Sequence, residues 1–122
     1  MTIDAVDAIE LADFWGRALG LSVAQNDDDG RWIVLGSTVH PRVIGFQRIA
    51  GLSRSAAAWE GHAKARMHLD LACDVEVFAD EVQRLIDLGA ARVRPDRVEY
   101  YGSIAALADP EGNVFDLCAY HH

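Results

Sequence analysis

The side chains best suited to chemistry stand in two short stretches, R-M-H-L-D-L at residues 66–71 and D-P-E-G-N-V-F-D-L at residues 109–117. Imidazole, carboxylate and amide groups can ligate divalent first-row metals, and the first two also carry protons, so His68, Asp116 and Gln47 are the first candidates for a reactive centre. Side chains alternate along a strand. Met67, Leu69, Leu71 and Cys73 therefore share one face while His68, Asp70 and Ala72 share the other; Phe115 and Leu117 likewise oppose Val114, Asp116 and Cys118. Spacing alone leaves a second reading open, in which H-L-D is a polar pair on a wet sheet face and Asp116 a solvated strand residue. Other chemistries find less support. There is no G-x-S-x-G elbow, phosphate-cradling G-x-x-x-x-G-K or dinucleotide G-x-G-x-x-G. Ser103 has no evident base, and Cys118 as a nucleophile would need a lowered pKa and a partner such as His68. N-D-D-D-G at 26–30 superficially suits calcium, but aligning Gly30 with the glycine of a calcium loop puts Gln25 and Gly36 at the first and last ligand positions. It reads as a hairpin turn.

These residues need elements to position them. D-A-I-E-L-A-D-F-W-G-R-A-L-G at 7–20 has apolar residues near helical spacing, with Asp7 suited to cap its start and Gly20 to end it. Trp15, at helical spacing, reads as core on that helix rather than as a cofactor contact. A very short strand precedes it, and strands L-S-V-A-Q and R-W-I-V-L-G flank the acidic turn, followed by R-V-I-G-F-Q-R-I at 42–49, where Ile44 and Phe46 pack while Gly45 and Gln47 face away. Residues 50–65 read as a connecting loop. The second half repeats the order: strand 66–73, helix 76–89, strand 90–94, strand 99–108 and strand 113–119. Each half is β-α-β-β-β. A shift of 69 carries Leu19-Gly20 onto Leu88-Gly89 and Phe46-Gln47 onto Phe115-Asp116, as an internal duplication requires. Asp109, Pro110, Gly112 and Asn113 read as the turn that launches the last strand, with Glu111 solvating it.

At 122 residues, 51% hydrophobic and 25% charged, the chain has the composition of one globular domain. A net charge of −8 without a Lys/Arg stripe argues against nucleic acid as a partner. No signal-like or bilayer-length apolar stretch is present, so a cytoplasmic location with no membrane partner is expected. Cys73 and Cys118 lack metal-knuckle spacing and read as reduced thiols. His121 and His122 are left out of site arguments.

R-M-H-L-D-L, L-I-D-L-G-A and D-P-E-G-N-V-F-D-L, with A-D-F-W-G-R-A-L-G in the first half, resemble a glyoxalase-like domain of the vicinal oxygen chelate superfamily, which includes glyoxalases, bleomycin-resistance proteins and extradiol dioxygenases. The resemblance covers nearly the whole chain. It implies an α+β fold, one domain over 1–122 of two βαβββ modules (about 1–49 and 66–120, joined by loop 50–65) whose curved mixed sheets enclose a cleft, commonly in a homodimer. It also implies four ligand positions for a divalent metal, on the first and last strand of each module. His68, Asp116 and Gln47 match three of them, for Mn, Fe, Ni or Zn. The fourth is unfilled: the shift of 69 places the partner of His68 before the chain begins, and a shift of 67, taken from Ala12-Asp13 and Ala79-Asp80, places it on Met1. The ligand set is thus expected to be incomplete or the first strand cut short. Around the cleft, Trp32, Phe46, Trp59, His62, Asp70, Tyr100 and Tyr101 are expected to form the pocket, with Trp59 and His62 in a covering loop. Two functions follow: a protein that binds a small organic molecule without a complete metal site, or a metal-dependent lyase, isomerase or dioxygenase whose substrate carries vicinal oxygens.

Overall fold

The computed structural model describes residues 1–51 and 67–121, which leaves the expected lid residues Trp59 and His62 outside the described residues. The chain divides into two compact units, Met1–Arg54 and Ser55–His122.

In the first unit, strand β1 (Thr2–Ala5) leads into helix α1 (Ala8–Leu19), followed by β2 (Ser22–Asp27), β3 (Trp32–Gly36) and β4 (Ile44–Arg48). The helix begins and ends where its caps are. The Asp7 side chain accepts the Glu10 N–H at 3.0 Å, and Gly20 takes the left-handed conformation at φ 69° that a residue with a Cβ adopts reluctantly. Leu11, Phe14 and Trp15 are buried, the two rings meeting edge to face at 5.2 Å, so Trp15 is core as its spacing predicts. The sheet order is β1-β4-β3-β2, with β1 and β4 parallel and the remaining pairs antiparallel. The acidic stretch is the expected hairpin turn: Asp28, Asp29 and Gly30 all have positive φ, and Asn26 Oδ1 accepts the Gly30 N–H at 2.8 Å.

The second unit repeats this path through β5 (Leu69–Ala72), a 3-10 turn (Val75–Val77), α2 (Phe78–Leu88), β6 (Ala91–Arg92), β7 (Arg97–Glu99), β8 (Gly102–Ala108) and β9 (Val114–Tyr120). Its sheet runs β5-β9-β8-β6, with β5 and β9 parallel and β7 also on β8. Two strand expectations are corrected. The strand predicted at 99–108 is two strands, because Tyr100 and Tyr101 form a turn between β7 and β8. The strand predicted at 90–94 ends at Arg92; β6 and β7 together occupy one edge of β8, separated by a stretch containing Pro95, which has no N–H for a ladder. In each unit a helix covers one sheet face: α1 lies on β3 and β4, while α2, with Val82 and Leu85 buried, lies on β9. Both units are thus βαβββ modules of the expected mixed α+β kind.

Candidate metal centre

The turn at 109–113 sets up the last strand. The Asp109 carboxylate accepts from the Glu111 N–H at 2.9 Å and the Asn113 N–H at 3.0 Å, and its Oδ2 takes the Asn113 side-chain amide at 2.9 Å. Asp109 is buried, which fits the structural role read for it. Glu111, expected to solvate the turn, is instead buried, 8% exposed. From this turn β9 alternates, with Phe115 and Leu117 fully buried and Asp116 on the opposite face.

The parallel register sets Asp70 on β5 directly opposite Asp116 on β9. His68, one residue before β5, places Nε2 3.1 Å from Asp70 Oδ1 and 3.7 Å from Asp116 Oδ2. One ligand atom from each of the three lies within 4.8 Å of the others. Asp116 is the most enclosed, its side chain 18% exposed, while His68 and Asp70 open to solvent at 41% and 54%. Directly opposed like charges destabilise a strand pair. A metal cation held between them would offset that repulsion. Octahedral oxygen ligands lie about 3 Å apart when adjacent, given bond lengths of about 2.1 Å. The 3.1 Å between His68 and Asp70 matches such an edge and the 3.7 Å to Asp116 exceeds it, and the donor set of one imidazole and two carboxylates suits a hard or borderline divalent ion. Asp70, predicted as a pocket residue, therefore belongs with His68 and Asp116. Alternation already put it on their face; what was missing was the pairing partner across the sheet.

The pairing registers also locate the counterpart of His68 in the first unit. Ile3 lies opposite Phe46 and Leu69 opposite Phe115, so the first strands are related by a shift of 66, not 69. The three-residue difference equals the length of the 3-10 turn Val75–Val77, which extends the connection between β5 and α2. Thr2 is then the counterpart of His68, and Asp4, opposite Gln47, that of Asp70. The expectation that the matching position falls on Met1 or before the chain is corrected: it is Thr2, a poor metal ligand.

Gln47 is exposed on β4 of the first unit, opposite Asp4 on one side and Trp32 on the other. The Trp32 ring lies over Gly45, where an added Cβ would come within 2.6 Å of it, and helps to line a hollow of about 120 Å³ with Met1, Thr2, Arg42 and Gly45. Phe46 cannot line a pocket. It is 0% exposed, in the face of β4 that α1 covers. Tyr100, at 94% exposure, and Tyr101 sit at the β7–β8 turn with rings edge to face at 5.1 Å, and Tyr101 reaches Tyr120 at 6.2 Å. Cys118, two residues beyond Asp116, is no ready nucleophile. Burial pushes its thiol up, and its hydrogen bond with Tyr120 leaves the phenol at about 12.

Among the described residues, no helix is long and apolar enough to cross a membrane. The family model of the glyoxalase-like domain matches residues 1–118. No curated protein matches the chain significantly. Several solved structures share its fold. A glyoxalase/bleomycin resistance protein/dioxygenase family enzyme from Burkholderia phytofirmans PsJN aligns with a TM-score of 0.72 at 20% identity, over 99% of this chain and 96% of that one. A glyoxalase/dioxygenase from Nostoc punctiforme aligns with a TM-score of 0.74 at 16% identity, over 100% and 89%. A mutant of the fosfomycin resistance protein FosX from Listeria monocytogenes, complexed with Mn(II) and 1S,2S-dihydroxypropylphosphonic acid, aligns with a TM-score of 0.71 at 14% identity, over 98% and 86%. With two βαβββ units, a matching family model and these neighbours, the chain belongs to the glyoxalase-like domain family of the vicinal oxygen chelate superfamily.

Proposed function

We propose that this protein is a divalent-metal-dependent enzyme that holds its metal through His68, Asp70 and Asp116 and acts on a small substrate bearing vicinal oxygens. One observation carries the reading: the β5–β9 register brings an imidazole and two carboxylates from three sequence positions within 4.8 Å of one another on one sheet face. That a structural neighbour, FosX from Listeria monocytogenes, is seen with Mn(II) supports it. Mn or Fe suits the carboxylate-rich set better than a thiolate-seeking ion, and Ni or Zn would bind the same donors. A bound metal would supply Lewis acidity toward a substrate oxygen on which negative charge develops. The protein's part is positional. Asp116, the most enclosed donor, fixes the site on β9; His68 and Asp70, partly exposed, hold it open to a ligand arriving from solvent.

The test is metal content of protein purified without chelator and then exposed to Mn(II), Fe(II), Ni(II) or Zn(II). Wild type is expected to hold about one equivalent, with His68→Ala and Asp116→Ala each losing it and Gln47→Ala keeping it. A folded wild type that takes up none of the four ions overturns the proposal. What would then stand is a metal-free binding protein, for which the hollow beneath Trp32 is the place to look.

A further inference from the structure

The sheet face that carries the proposed metal ligands also carries a cation with no ion-pair partner among the described residues. Reading outward from β9, Asp116 lies opposite Ala106 on β8, and the next row on the same face is Cys118, Ile104 and Arg97 on β7. Arg97 thus shares a face with Asp70 and Asp116, two strand spacings from β9, or about 10 Å across the sheet. Among the described residues of this face, Ala106, Ile104 and Cys118 stand between; all three are buried and none carries a charge to pair with a guanidinium. The other arginine on a strand of this sheet, Arg92, is tied to Asp96 at 2.8 Å. Arg97 is exposed and forms no ion pair with a described residue, although the chain carries nineteen acidic residues against eleven basic ones.

We propose that Arg97 anchors an oxyanion group of the substrate, a carboxylate, phosphonate or phosphate, so that the substrate is a small organic anion whose charged group lies a few bonds from the oxygens presented to the metal. This rests on the metal reading above and narrows it to a substrate class. A guanidinium offers paired N–H donors that match such a group.

The experiment uses the full chain loaded with Mn(II), and compares malate, an α-hydroxy acid with a second carboxylate, with lactate, which lacks it. Wild type is expected to bind one enantiomer of malate about ten-fold tighter than lactate, the effect of one charge-assisted contact. Arg97→Gln should bring the two ligands to equal affinity without changing Mn(II) affinity, and Arg97→Lys should restore part of the difference. Equal binding of both malate enantiomers and lactate by the Mn(II)-loaded wild type overturns the role of Arg97 and leaves the metal site standing, as does a preference that survives in Arg97→Gln. Failure of wild type to take up Mn(II) removes both proposals together.

Discussion

Asp70 bears two opposed effects. Opposite Asp116 on adjacent parallel strands, it adds like-charge repulsion to the protein without metal; beside His68, it adds a donor to the proposed ligand set. Asp70→Asn should therefore weaken Mn(II) binding by roughly 10- to 100-fold, as removal of a charged contact of about 1.5–3 kcal/mol implies. The same substitution should leave the stability of metal-free protein unchanged or raised by up to about 1 kcal/mol. Isothermal titration and urea unfolding of one preparation check both signs, and equal losses in the two would reduce Asp70 to an ordinary strand residue. His68 and Asp116 were legible from their types and from the period of two. Asp70 was legible as a neighbour but not as a member of the proposed ligand set, because its partnership with Asp116 is a register between residues 46 positions apart, which alternation within one strand does not contain. Phe46 was drawn into the pocket by its aromaticity, although its own alternation with Gln47 placed it on the helix side, where it is fully buried.

The turn before β9 decides how Asp116 is presented. Asp109 accepts two backbone N–H groups and the Asn113 side chain, and the Gly112 N–H returns to the Asp109 carbonyl at 2.9 Å. Asp109→Ala would remove this acceptor from the buried Glu111 N–H and from the part-buried Asn113 N–H and amide, at about 1–3 kcal/mol for a buried unsatisfied group. A loss of about 2–4 kcal/mol in chemical denaturation is expected, with Asp109→Asn retaining part of the stability through its remaining carbonyl oxygen. A loss under about 0.5 kcal/mol in Asp109→Ala would make the turn incidental. Elements with strong local signals were readable: α1 has its side-chain cap and its glycine stop, and D-P-E-G-N is a turn in sequence and in structure. The errors arose where a local signal was missing. Nothing in E-Y-Y-G-S announces a hairpin turn at Tyr100-Tyr101, since aromatic residues favour strands. The 3-10 turn at Val75–Val77 is apolar enough to read as helix, and its three residues account for the misplaced counterpart of His68.

Over the whole molecule, duplication was the most legible feature, because each βαβββ unit carries its own helix end and last strand at a constant spacing. The proposed ligands do not follow that symmetry. His68, Asp70 and Asp116 all belong to the second unit, whereas the corresponding positions of the first are Thr2, Asp4 and Gln47. Metal should therefore stabilise the two units unequally. A ligand at 100 times its dissociation constant adds about 2.7 kcal/mol to a state that alone binds it, which for a chain of this size raises the melting temperature by roughly 10 °C. Amides that exchange through local opening should report where that free energy acts. With Mn(II), protection is expected to rise in Leu69–Ala72 and Val114–Tyr120, whose pairing holds the ligands together, while the first unit's edge strand Ser22–Asp27 exchanges as before. Chelation should reverse both effects. A rise in protection confined to the first unit would place the metal elsewhere, and a Mn(II)-induced rise in melting temperature that persists in His68→Ala would separate stabilisation from this triad altogether.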